Sequence, residues 1–162
     1  MLVRTWRLVT ILLTALSMGL ALAHLLEMPA KITYEGALWL RLKQTLYHAF
    51  GTVGAFFEVG AVLASVVLAF LVRHRPGAFG WTLFGALCLV AMHAVYWLRV
   101  APVNATIVPL TPDTLPADWT RLRDQWEHTH ALRAVLQVVA VGAFVWSILV
   151  ETPTVASGER RT

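Results

Sequence analysis

The chain holds one cysteine, Cys88, among 162 residues. A lone thiol excludes an intrachain disulfide, and neither a Cys-rich metal motif nor a haem-attachment motif is present. Cys88 lies within an apolar run and reads as a small core residue. Phosphate-binding loops, dinucleotide fingerprints and serine-nucleophile signatures are also missing. Charge is scarce: Asp, Glu, Lys and Arg make up 14% of the residues. The net charge of +4 comes from basic residues scattered among loops and helix ends, which argues against a nucleic-acid surface. No internal repeat is found.

What the chain has in excess is apolar surface, 58% of its residues. The excess falls into four blocks, Leu8–Glu27, Phe50–Val72, Phe79–Leu98 and Ala131–Val150. Each is about 20 residues long, enough to span a hydrocarbon core. Lipid offers backbone groups no partner, so such blocks must be helices. The expected fold is all-α: an integral membrane four-helix bundle, antiparallel up-down, over 1–151, with 152–162 as a polar tail. The lipid bilayer is its first expected partner. Arg4, Arg7 and Ala21-Leu22-Ala23 imitate a signal peptide, but the segment is read here as the first spanning helix.

Arg4, Arg7, Arg73, Arg75, Arg160 and Arg161 fall on one side, so both termini are expected in the cytoplasm. The short Arg73–Gly77 turn makes the second and third helices antiparallel neighbours. The longer connections 29–47 and 101–128 share the outer side, where binding surfaces tend to form. Pro102, Pro109, Pro112 and Pro116 predict that much of the second connection is not regular helix. Asn104-Ala105-Thr106 also matches a glycosylation sequon, a pattern with many false positives.

Steps of three and four residues place polar side chains in stripes, and each stripe contains a histidine. The first helix gives Ser17, His24 and Glu27, and the second, extended backwards, gives Gln44, His48, Ala55 and Glu58. The third gives His93, Trp97 and Asn104, and the fourth gives Trp126, His130, Arg133 and Gln137. Ionisable groups in spanning helices usually face the bundle interior. By depth, His24, Glu27, His48, His130 and Arg133 form an outer ring, above a deeper Glu58/His93 pair. The cytoplasmic half reads as almost purely apolar. A bland reading stands beside each residue: Arg133 pairs with Glu27 or Glu127, and Trp97 and Trp126 anchor the interface. His74 lies in the cytoplasmic turn, and His128 falls off the inward stripe.

Two segments carry a resemblance: "VYWLRVAPVNATI", Val95–Ile107, and "DWTRLRDQWEHTHALRAVL", Asp118–Leu136. With the overall layout, they make the chain similar to the small four-helix membrane proteins grouped with the anthrone oxygenases. The residues that match are Asn104, Trp126, His130 and Arg133, although many members carry Asn at the position of His130. The resemblance implies a monooxygenase-like oxidoreductase, without an obvious bound cofactor, acting on a lipophilic aromatic or quinol-like molecule. It implies His130 or His93 as the base, with Glu58 orienting it. Arg133 and Asn104 are implied to hold the enolate oxygen, and Trp126, Trp97 and Tyr96 to line the ligand, beside His24 and His48.

Two other readings stay open. A subset of His24, Glu27, His48, His93 and His130 ligates haem, a pigment, copper or another metal, within a larger membrane complex. Glu58 and His48 cannot share one ion, being roughly 15 Å apart along a helix. Alternatively, the polar groups only join helices in a structural subunit.

Overall fold

The computed structural model describes residues 1–152; the tail beyond lies outside the described residues, including Arg160 and Arg161. The described chain is all helical: α1 (Leu2–Lys31), α2 (Gly36–Thr45), α3 (His48–Val72), α4 (Pro76–Val95), α5 (Ala101–Ile107) and α6 (Trp119–Leu149). A π-helical turn, Tyr96–Val100, joins α4 to α5 without a break, and a 3-10 turn spans Pro112–Thr114. Four helices are long and apolar enough to cross a membrane: α1, α3, the α4–α5 rod and α6. That fits a multi-pass integral membrane protein. α1 packs on α3 and α6, and α4 packs on α3 and α6, which makes an antiparallel four-helix ring.

The ring is apolar on its outside as well. Leu12, Leu16, Phe56, Leu63, Phe70 and Leu132 are all exposed, as side chains facing lipid tails are. Inside one half, Ala61, Cys88, Leu89, Met92, Ala140 and Phe144 form one core. At the other end α2 lies across α5 and α6, with Trp39 and Leu40 packed among Val100, Val103, Ile107, Leu122 and Trp126. Gln44 fastens this lid by donating to the carbonyls of Ile107, Val108 and Leu110. Ile107 and Val108 close α5, where carbonyls lack an intrahelical donor.

The spanning helices outrun the apolar blocks. α1 has 30 residues and α6 has 31, about 45 Å each against a hydrocarbon core of about 30 Å. The extra turns carry the charged residues. Helix also persists where proline argued against it. Pro102 sits in the first turn of α5, just past the π turn. Widening the helix by one residue absorbs the missing N–H and the ring clash of that proline. Gln125 from α6 donates to the Arg99 carbonyl at 2.8 Å and holds the widened turn. Of the four prolines in this connection, Pro109, Pro112 and Pro116 fall between α5 and α6. The backward extension of the second apolar helix also fails. The chain breaks between α2 and α3, which turns Lys43 and Tyr47 inward and leaves Gln44 and His48 exposed.

Gly85 on α4 is where α6 comes closest. A Cβ there would lie 2.7 Å from a carbon of the buried Phe144 ring, whereas one at Gly142 would meet nothing within 4 Å. Gly85→Ala is therefore expected to destabilise the purified protein by roughly 1–3 kcal/mol, read as a lower thermal midpoint. Gly142→Ala should leave the midpoint unchanged or raise it slightly. Equal midpoints for the two variants would contradict the close α4–α6 packing.

Candidate functional site

A cavity of about 530 Å³ opens in the half of the bundle covered by α2. Its wall includes Glu58, His93, His24, Trp126, His130 and Arg133. Asn104, Tyr96, Trp97 and His48 border it too, together with Lys43 and Tyr47, which the sequence reading passed over. The polar groups lie at three depths.

At the deep end, Arg133 of α6 forms an ion pair with Glu58 of α3. Its partner is thus neither Glu27 nor Glu127. The Arg133 side chain is 6% exposed and that of Glu58 is 16% exposed. The Arg133 guanidinium carbon stands 5.1 Å from the centre of the Tyr96 ring. His93 Nδ1 lies 3.7 Å from the other Glu58 oxygen. Trp97 donates its indole N–H to His93 Nε2 at 3.1 Å. An imidazole that accepts at Nε2 carries its proton on Nδ1, facing the carboxylate. The Nε2 lone pair of His93 is therefore taken by Trp97, and Nδ1 stands beyond hydrogen-bond distance of the carboxylate. Trp97 itself is largely exposed.

At middle depth, His130 stacks on Trp126 with ring centres 3.6 Å apart. His24 reaches across from α1 and meets the His130 ring at 4.7 Å. Trp126 donates to Asn104 Oδ1 at 2.9 Å, which leaves the Asn104 amide hydrogens unspent. His130 Nδ1 lies 2.9 Å from the Trp126 carbonyl. A carbonyl only accepts, so Nδ1 is the protonated nitrogen and Nε2 keeps its lone pair. Of the two histidines considered as a base, His130 is the one whose lone pair no donor occupies. His48 sits at the exposed rim, and His128 and His74 are exposed as expected.

The shallow layer is a buried charge cluster that closes the top. Lys31 Nζ lies 2.8 Å from Glu127 Oε2, and Lys43 Nζ lies 3.5 Å from Glu127 Oε1. Lys31 also approaches Glu27 at 3.6 Å, and Tyr47 donates to that same Glu27 oxygen at 2.5 Å. Trp39 adds an indole N–H to Glu127 at 3.4 Å. Buried charges persist only when paired in this way. The stripe His24, Glu27, Lys31 continues by threes and fours, so Lys31 could have been found from its spacing. Lys43 and Tyr47 could not, because the break before α3 resets the helical phase.

Lys43, on α2 outside the spanning helices, has its pKa pushed down to about 6 by burial first. The Lys31 charge adds to the fall, and Glu127 opposes it. Tyr47 is pushed the other way, by burial and then by its bond to Glu27, and stays protonated. Among the described residues, no group of three or more His, Cys, Asp or Glu could hold a metal ion. His24, Glu27, His48, His93 and His130 do not converge as one ligand set.

Above a folded pKa of about 6 the native state holds Lys43 neutral, while the unfolded chain keeps it protonated to its ordinary range. The unfolded state then binds more protons, so this residue makes stability rise with pH across that window. The thermal midpoint of the wild type is expected to climb more steeply than that of Lys43→Met between about pH 6.5 and pH 9. Parallel curves for the two proteins would refute the assignment.

The family model described as Anthrone oxygenase matches residues 44–154, about two thirds of the chain, from the lid helix through α6. No curated protein and no solved structure matches the chain. With its four spanning helices and a match of that extent, the chain belongs to the anthrone oxygenase family.

Proposed function

We propose that the protein is a membrane-embedded oxidoreductase that oxygenates a lipophilic aromatic ketone with an acidic ring methylene, the chemistry that its family's name describes. The observation that carries this reading is the Nε2 lone pair of His130 beside a cavity that also holds the Arg133 guanidinium. The cavity, about 530 Å³, lies within the range of about 300–1,000 Å³ usual for small-molecule sites.

The chemistry balances with dioxygen as the only co-reactant. His130 Nε2 takes a proton from the methylene, and the electron pair moves to the ketone oxygen as an enolate. Arg133 and the Asn104 amide stabilise that oxygen. Dioxygen accepts an electron from the enolate carbon, and the resulting pair joins as a C–O bond. The peroxide takes the proton back from His130. Loss of the second methylene proton then breaks the O–O bond, leaving a new carbonyl and one water. Glu58 and His93 act behind Arg133: the carboxylate holds the guanidinium in place, and His93, oriented by Trp97, faces the carboxylate.

Arg4, Arg7, Arg73 and Arg75 lie at the end of the bundle away from the cavity. Their charge supports an orientation with the N-terminus in the cytoplasm and the cavity in the outer half.

On an anthrone in detergent solution, His130→Ala is expected to lower kcat by about 10²–10⁴-fold while the protein keeps its helical spectrum. His93→Ala, which removes a supporting group, should cost less than His130→Ala. The reverse order, or a fully active His130→Ala, would end the assignment of His130 as the base.

A further inference from the structure

The half of the bundle remote from α2 is not purely apolar. It buries Thr10, Thr14, Ser17, Ser65, Thr82, Gln137 and Ser147, none more than 2% exposed. The ion pairs at its two ends fix how these residues line up. α1 and α6 are pinned by Arg7–Glu151 at one end and Lys31–Glu127 at the other. α4 and α6 are pinned by Arg75–Glu151 and by Arg133 against the Met92 sulfur. Glu58–Arg133 pins α3 to α6.

Counting from these pins places Thr10 level with Ser147 and Thr14 level with Thr82, and the approach of Leu13 to Gly60 and of Leu20 to Gly54 places Ser65 between the levels of Arg7 and Thr10. Gln137 lies one turn below Arg133. A polar side chain thus recurs at every turn, about 5 Å apart, from the site down to the Arg7–Glu151 pair. Ser17 also lines the cavity, so the series begins at its floor.

Helix packing explains only part of this series. Thr14, Ser65 and Ser147 donate to the carbonyls of Thr10, Val62 and Phe144 in their own helices, an ordinary arrangement at membrane helix contacts. Among the described residues, the Thr10, Ser17 and Thr82 hydroxyls have no partner, nor does either polar atom of the Gln137 amide. Polar atoms left bare at full burial are unfavourable, because they give up their bonds to water. Packing alone gives no reason to put a glutamine there.

We propose that these side chains line a hydrated path from the cavity floor to the face of the membrane that bears Arg7 and Glu151. Water is the occupant that can both donate to and accept from hydroxyls and an amide. A file of such waters lets the base and the guanidinium pair exchange protons with the aqueous phase remote from α2. The path stands apart from the reaction proposed above, because it rests on buried atoms outside the residues that carry that reaction.

Its test needs no substrate. In full-length protein carrying Cys88→Ala, single thiols are introduced by Thr10→Cys, Ser17→Cys and Thr82→Cys, and by Leu63→Cys as a lipid-facing control. Proteoliposomes are treated with silver ion on the Arg7–Glu151 side, and the thiols that remain are counted with a maleimide after denaturation. The path predicts loss of the thiol at all three interior positions, with Leu63→Cys spared, and loss at Ser17→Cys from the cavity side too. Interior thiols that survive as well as that of Leu63→Cys would overturn it. Ser17→Cys is nearly isosteric and keeps the test valid if either threonine variant fails to fold.

Discussion

The ion pair between Arg133 and Glu58 is the contact on which the rest of the molecule depends. A charge in the interior of a bundle is tolerated only with a partner and further hydrogen bonds. Here the partner comes from a different helix, so satisfying the charge also fixes α3 against α6. His93 closes on the same carboxylate, and Met92 and Tyr96 close on the guanidinium. One electrostatic requirement therefore sets the register of three helices and the floor of the cavity. Removing one partner alone would strand the other, with a penalty of about 3–5 kcal/mol.

The two ends repeat this device at shallower depth. Lys31 and Lys43 share Glu127 beneath the lid, and Arg7 and Arg75 share Glu151 at the opposite end. Glu151 lies outside the spanning helices. Its burial works to raise its pKa, but Arg7 and then Arg75 outweigh that and hold it below the usual carboxylate range. It stays ionised and keeps its hold on both arginines.

Much of this was legible in the chain. Blocks of about 20 apolar residues give four helices because lipid leaves no other solution. The inward turn of Trp126, His130 and Arg133 follows from spacings of four and three on a helix with no break. Less legible was anything that depends on where a helix stops. Extending the second apolar helix backwards placed Gln44 and His48 inward, and the break before His48 put Lys43 and Tyr47 there instead. Pro102 argued for a loop, but a π turn took up the strain. The partner of Arg133 was hidden as well, since Glu58 lies 75 positions away in the sequence. Buried serines and threonines vanish when hydropathy is averaged along a helix, so of the polar interior of the remote half only Ser17 and Gln137 stood out, on their stripes.

The central claim is that this cavity adds dioxygen to a carbanion that its own base creates. The most direct measurement supplies an anthrone and isotopically heavy dioxygen to the purified protein, then follows oxygen uptake and the label in the product. The account predicts uptake faster than in the protein-free solution, one dioxygen consumed per substrate, and one heavy atom in the new carbonyl, with the other in water. Uptake no faster than the blank, or a new carbonyl whose oxygen comes from solvent, would contradict it.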